Sequence, residues 1–403
     1  MSSLARHRAF VRFWLARVFG MLGSQMQAVA IGWQIYEMTR SPLDLGLVGL
    51  AQFLPSILLV FLSGHVIDRY DRRIVLAVCL VLESLASIAL VAGSLGGWLD
   101  RNVILVIVLF TGAVRSFKMP AMQALLPGVV PTSLFPKAVA LSASAMQVAI
   151  ISGPAIGGFV YAASPVAVYA SACAAFLFSA VLVGLISMER ARERREAFSL
   201  ASLFAGVNYI RSRPAVLGAI SLDLFAVLLG GATALLPIYA RDILSTGPWG
   251  LGLLSSAPAL GALMTSFYLA RHPLENKAGK IMFRAVIFFG LATLVFAVST
   301  AYFISLIALV FLGASDMVSV VIRSSLVQIQ TPDHMRGRVA AVNSIFIGTS
   351  NQLGEFESGL TADWFGTVPA VLLGGIGTIL VALLWMKLFP ELLEMKSLHR
   401  TEP

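Results

Sequence analysis

The stretch GHVIDRYDRR, Gly64 to Arg73, carries five charged side chains in the six positions from Asp68 to Arg73, between two long apolar runs. That density stands out because the chain is 58% hydrophobic and only 12% charged, with a mean hydropathy of +0.87, where soluble proteins average roughly 25% charged residues. The chain is built for a bilayer. Outward from the charged stretch, runs of about 20 apolar residues, each able to cross a hydrocarbon core of about 30 Å, recur along the whole length with short polar breaks. They number twelve: 14–36, 43–63, 74–99, 103–124, 138–162, 166–187, 214–238, 249–270, 281–300, 303–328, 338–363 and 367–389. An all-α membrane protein of twelve transmembrane helices is expected.

Charge placement orients the spans. Of the 29 basic residues, 22 fall in or beside loops on the side of the N-terminus, and three (Arg40, Arg101, Arg241) fall on the other side. The remaining four, Arg17, Arg115, Lys118 and Arg323, lie within spans. Lys and Arg accumulate on the cytoplasmic side, so both termini are expected there. The net charge of +9 is spread over every inner loop, which reads as topology and contact with anionic lipid, not as a nucleic-acid surface. The N-terminal MSSLARHRAFVRFW precedes an apolar run too long for a signal-peptide core and without a small-residue cleavage site, so it reads as the flank of a retained first span. Both cysteines, Cys79 and Cys173, lie in spans, and all five histidines lie in or beside inner loops. Neither a disulfide framework nor a metal site is indicated.

The chain echoes itself. LGLVGLAQFLPS from Leu45 resembles WGLGLLSSAPAL from Trp249, matching Gly46 with Gly250, and VRSFKMP from Val114 resembles IRSSLVQ from Ile322, matching Arg115 with Arg323. More strongly, VALSASAMQVAIISGPAIGG from Val139 matches AAVNSIFIGTSNQLGEFESG from Ala340 without a gap, placing Gly153 on Gly354 and Gly158 on Gly359. Two six-span bundles follow, 1–187 and 214–403, as parallel repeats in transporters produce. Between them, 188–213 reads as a cytoplasmic linker: a charged run, then Leu200, Leu203, Phe204, Val207 and Ile210 at helical spacing, one face of an interfacial helix.

Gly64, Asp68, Arg69, Arg72 and Arg73 resemble the signature loop between the second and third spans of the major facilitator superfamily, G-x-x-x-D-R-x-G-R-R, with Asp71 standing where that pattern has glycine. SGPAIGG, Ser152 to Gly158, resembles the fifth-span motif of antiporters in that superfamily, carried by Gly153, Pro154, Gly157 and Gly158. The segments LDLFAVLLGGATALLPIYARDIL, DMVSVVIRSSLVQIQTPDHMRGRVAAVNS and SNQLGEFESGLTA are similar to the branch containing the enterobactin exporter and macrolide efflux proteins, the transmembrane secretion effector type. The resemblance covers nearly the full chain and implies an inner-membrane exporter that alternates between inward-facing and outward-facing states.

Physical chemistry gives the charged stretch a task in such a machine. Asp68 at the inner end of the second span can face the N-terminus of the eleventh, whose unpaired N–H groups carry partial positive charge. Arg72 and Arg73 can hold neighbouring helix ends or lipid phosphates. The cluster is expected to latch one state and break in the other.

Charge within a span is costly, so each such residue is a functional candidate. The resemblance implies that spans 1, 4, 7 and 10 line a central cavity. On these spans Gln27 and Gln34 lie seven residues apart, Arg115 and Lys118 share a face, and Arg323 lies seven residues from Asp316. Gln27, Gln34, Arg115, Lys118 and Arg323 are therefore expected to line the substrate cavity. Asp223 and Asp316, acids at mid-depth, are candidates for proton coupling, and a static pair with Arg115 or Arg323 is the competing reading. Glu355 and Glu357 on the eleventh span follow as further proton candidates, although two residues apart they point to different sides. Glu83 is expected to pair locally or snorkel.

The expected function is a proton-coupled exporter of small amphipathic molecules such as siderophores or drugs. A lipid or lysolipid flippase of the same fold is the alternative, and a non-transporting membrane sensor a more distant one. No nucleophile motif or nucleotide loop points to an enzyme, so no catalytic residue, cofactor or metal is expected. The expected partners are a small-molecule substrate, protons and membrane lipids, without nucleic acid, and the chain is expected to act as a monomer.

Overall fold

The computed structural model describes residues 4–187, 200–272 and 277–395, and among the described residues every regular element is helical. In chain order the α-helices are α1 (Arg8–Thr39), α2 (Pro42–Leu58), α3 (Val60–Arg69), α4 (Arg72–Gly96), α5 (Arg101–Leu125), α6 (Phe135–Ala163), α7 (Pro165–Gly184) and α8 (Leu200–Arg211). They continue as α9 (Pro214–Leu229), α10 (Leu236–Ile238), α11 (Pro248–Arg271), α12 (Ala278–Val298), α13 (Tyr302–Gln330), α14 (Asp333–Phe365), α15 (Thr367–Leu388) and α16 (Pro390–Leu393). Among the described residues, nine helical stretches are long and apolar enough to cross a membrane, or ten when the bent pair α2 and α3 counts as one broken span. The other two expected spans coincide with α1 and α14, of 32 and 33 residues. These two have the length but are more polar, carrying Gln25, Gln27 and Gln34 on α1 and Asn343, Gln352, Glu355 and Glu357 on α14.

Local chemistry sets the breaks. Asp71 accepts a hydrogen bond from the Arg73 backbone N–H at 2.9 Å and starts α4, and Asp100 does the same for Val103 at 2.8 Å to start α5. Gly97, at φ 68°, ends α4 in the left-handed region that glycine enters without penalty. Pro55 lies inside α2, one turn before a 59° bend. The seventh expected span is broken as well: α9 stops at Gly230, and a π-helical turn follows at Tyr239–Ile243.

The chain forms two compact units. The first holds residues 4–40, 51–187 and 246–256. There α1 packs on α6 and α7, and α4 on α5 and α7, around Phe10, Phe13, Leu76, Leu80 and Phe176. The second holds residues 41–50, 200–245 and 257–395. There α12 packs on α13 and α15, and α9 on α14 and α15, around Leu222, Met282, Phe283 and Ile322.

In the second unit, α8 sits against α14. Leu203, Val207 and Ile210 pack with Val216, Val339 and Val342, and the Tyr209 hydroxyl donates to the Gln330 carbonyl at 2.6 Å. Phe204 remains 61% exposed, so it is the part of the expected apolar face left for a headgroup layer. Residues 188–199, the charged start of the linker, and the side chain of Leu200 lie outside the described residues.

Two glycine-on-glycine crossings, one in each unit, involve the repeat-equivalent glycines. A Cβ on Gly252 of α11 would stand 3.1 Å from Gly158 Cα of α6, and a Cβ on Gly359 of α14 would stand 2.7 Å from Gly46 Cα of α2. Backbones this close admit only the smallest residue. Since Gly158 and Gly359 are repeat equivalents, the contacts pair Gly46 with Gly252, two residues from the Gly250 that string similarity selects. Gly250 faces Thr246 instead.

Candidate functional site

The α4–α5 hairpin brings Glu83 opposite Lys118 in the interior of the first unit. Lys118 Nζ lies 2.5 Å from Glu83 Oε1, with both side chains more than nine-tenths buried. The ammonium also donates to Ser24 Oγ of α1 at 3.0 Å and stands 5.7 Å from the centre of the Phe176 ring. One turn along α4, Ser87 donates to Gln27 Oε1 at 2.8 Å. A buried ion pair offsets its desolvation only with such extra bonds. Lys118 has its charge met, while Glu83 Oε2 has no partner.

The second unit holds a pair of similar depth and different company. Arg323 Nη1 on α13 lies 2.9 Å from Asp223 Oδ2 on α9, again with both side chains more than nine-tenths buried. The guanidinium also reaches Asn343 Oδ1 on α14 at 3.4 Å. Asp316, two turns along α13, is half-buried and makes neither ion pair nor hydrogen bond among the described residues. It lines, with Asp223, Ser315, Ser319 and Phe289, a cavity of about 10 Å³, the space for one water molecule. Two carboxylates therefore line one small cavity, and only Asp223 holds the guanidinium. With all three ionised one negative charge is left over, and a single bound proton cancels it.

The other candidates are scattered. Gln34 accepts a 2.6 Å hydrogen bond from the buried Tyr169 hydroxyl. Arg115 is exposed and has no partner among the described residues, so it and its repeat equivalent Arg323 occupy opposite environments. Glu355 stands over Gly49 of α2, where a Cβ would come within 2.7 Å of Oε2. Glu357 accepts from Thr361 Oγ1 at 2.7 Å and from Ser358 Oγ at 3.4 Å within its own helix. Gly153 and Gly157 hold α6 against Gln25 and Met26 of α1, while Gly158 meets α11 next to Pro154.

In the charged loop, Gly64 and Asp68 lie on the last turns of α3, and Asp68 and Arg69 are exposed. Asp68 makes no ion pair or hydrogen bond among the described residues. Arg72 donates to the Ala124 carbonyl at 3.2 Å, and Arg73 to the Ile186 carbonyl at 2.6 Å, capping the ends of α5 and α7. Asp71, at φ −63°, needs no glycine, and its carboxylate lies 3.8 Å from Arg73.

Several partners were not foreseen from the residues alone: Ser24, Ser87 and Asn343, and Glu83 as the specific counter-ion of Lys118. Comparable depth on adjacent spans, counted from the turn at 97–100, was the available signal for that last pair. Arg17, which the sequence places within the first span, has Met146 Sδ as its hydrogen-bond contact at 3.5 Å.

Long apolar helices with ion pairs buried among them define a multi-pass membrane protein, and its family and relatives make it a transporter of the major facilitator superfamily, not an enzyme. The chain belongs to the family of transmembrane secretion effectors within that superfamily, which it matches over residues 1–402. Its relatives include the enterobactin exporter EntS of Citrobacter koseri, 26% identical over 401 residues that cover 97% of this chain and 94% of that protein. The EntS of Shigella boydii is 25% identical over 412 residues, covering 100% and 96%. A bacterial homologue of the human lysosomal transporter Spinster, inward-facing and occupied, has the same fold at a TM-score of 0.74 and 12% identity, over 95% of this chain and 96% of that one. A D-xylose–proton symporter matches at 0.69 and 15%, over 97% and 99%.

Proposed function

We propose that the chain is a proton-coupled exporter of small amphipathic molecules, siderophores or drugs, working by alternating access in the bacterial inner membrane with both termini in the cytoplasm. The observation that carries the coupling is the surplus carboxylate of the second unit: Asp223 holds Arg323, while Asp316 lines a cavity with Asp223 and has no partner among the described residues. A proton bound there cancels the surplus charge, and its release restores an acid that competes for Arg323. Protonation thus changes which contacts are favourable, which is what a ligand must do to shift a conformational equilibrium. Export and the siderophore class rest on the relatives, which are named enterobactin exporters. The loop from Gly64 to Arg73 serves as the latch. Support comes from its two arginines, which anchor it to the ends of α5 and α7, and from Asp68, which is exposed and ready for a partner.

The test is reconstitution into vesicles with an imposed pH gradient and a catecholate substrate. The gradient should drive accumulation in the parent, and Asp316→Asn should abolish that accumulation while substrate exchange across the membrane persists. If Asp316→Asn and Asp223→Asn both accumulate substrate like the parent, coupling at this cluster is refuted and Glu355 and Glu357 become the acids to test.

A further inference from the structure

Where α13 turns into α14, the second unit contains a cavity of about 500 Å³, within the size range of small-molecule sites. Val327, Ile329 and Ala340 give it an apolar wall, and Gln328, Thr331 and Arg336 a polar one. Three features of the polar wall point to a ligand. Thr331 is only 1% exposed, yet its hydroxyl has no hydrogen-bond partner, an arrangement proteins seldom leave unfilled. Of the five N–H donors of Arg336, one goes to the Gln328 carbonyl at 3.3 Å and one to Asp333 at 2.8 Å, leaving three unspent. The side-chain amide of Gln328, on an exposed residue, has no partner among the described residues and is open to a ligand. Beside them Gly337 leaves the backbone open, since nothing lies within 4 Å of where its Cβ would be.

We propose that this cavity binds a phosphate group, carried by a phospholipid headgroup or free in solution, through Arg336, Thr331 and Gln328. A guanidinium fork with a hydroxyl and an amide around it offers more donors than the two oxygens of a carboxylate can accept, and a phosphate uses them. The apolar wall suits the stem of a phosphoester. This turn lies on the side of the membrane where basic residues collect, the side on which anionic headgroups attract them. Asp333 is the built-in competitor: its pair with Arg336 is solvent-exposed, 54% on the arginine and 89% on the aspartate, and such pairs are weak.

The site can be read directly on delipidated full-length protein in neutral detergent, by native mass spectrometry and thermal shift with phosphatidylglycerol, diacylglycerol or inorganic phosphate. Phosphatidylglycerol should bind and diacylglycerol should not. Arg336→Gln should weaken binding about tenfold or more, and Asp333→Asn should tighten it roughly threefold by removing the competitor. Displacement of the lipid by millimolar inorganic phosphate identifies a site for the free anion as well, whereas lipid binding without displacement identifies a headgroup site. Equal binding of diacylglycerol, or affinities unchanged in both variants, overturns the proposal. Should Arg336→Gln fail to fold, the gain expected of Asp333→Asn decides alone.

Discussion

In the first unit Lys118 meets Glu83 and Ser24, and one ammonium balances one carboxylate; in the second, Arg323 meets Asp223 while Asp316 stands unpaired on the same cavity. Both clusters are buried among helices, so depth does not separate them. Stoichiometry does. A balanced pair is spoiled by any change of protonation, because either partner would be left as an unmatched charge in the interior. An unbalanced trio can gain or lose one proton while Arg323 always retains a carboxylate. The first cluster is thus suited to fixing α1, α4 and α5 to one another, and the second is the one to which the proposed coupling assigns a change of state.

The largest effect should come from breaking the balanced pair. Lys118→Met strands Glu83, and loss of one partner of a buried pair costs about 3–5 kcal/mol, so the unfolding temperature in detergent should fall steeply. The double variant Glu83→Gln with Lys118→Met should recover most of that loss. Asp316→Asn, by contrast, strands nothing, and the unfolding temperature should stay level or rise. A fall as large as that of Lys118→Met would mean that Asp316 is structurally paired, and the contrast between the units would collapse.

A middle-sized effect is expected at Asp68, which belongs to the unit with the balanced pair but lies outside it. If Asp68 is the latch carboxylate, Asp68→Asn should shift the inward–outward equilibrium by about 1–3 kcal/mol, slow transport and leave expression near the parent's. Spin-label distances across the inner faces read the populations. Unchanged distance distributions would reduce the loop to the anchoring role already visible in Arg72 and Arg73.

How much of this was legible beforehand depends on the range over which each signal acts. Span positions are local properties of apolar length, and Asp71 and Asp100 sit where the helices after them begin. The polarity of α1 and α14 was equally local, since Gln27, Gln34, Glu355 and Glu357 stand in the sequence for anyone to count. Partner choice is not local. The spacing of Leu203, Val207 and Ile210 is the same whether the face meets lipid or α14, and only the tertiary structure shows the second. The spacing of Lys118 from Arg115 is visible in the sequence and points to a cavity cation, while Glu83, 35 residues away, is joined to it only by the packing of α4 on α5. Likewise the repeat equates Arg115 with Arg323 in sequence but does not fix burial: one is exposed and the other buried.

That last asymmetry yields the smallest and most discriminating prediction. With Lys118 committed to Glu83 and Arg323 to Asp223, Arg17 and Arg115, both in the first unit, are the two of these four bases without a carboxylate partner among the described residues. An uncompensated cation in a partly desolvated site attracts anions and repels cations. A catecholate or carboxylate substrate should therefore depend on Arg115, and a neutral analogue of the same shape should not. Arg115→Gln should weaken binding of the anionic ligand by up to about tenfold, the worth of one exposed to half-buried charge contact, and leave the neutral ligand within twofold or so. Isothermal titration with the two ligands measures both arms on one preparation. Equal losses for the two would assign Arg115 a structural role, and the charge left over in the first unit would then have to be read through Arg17.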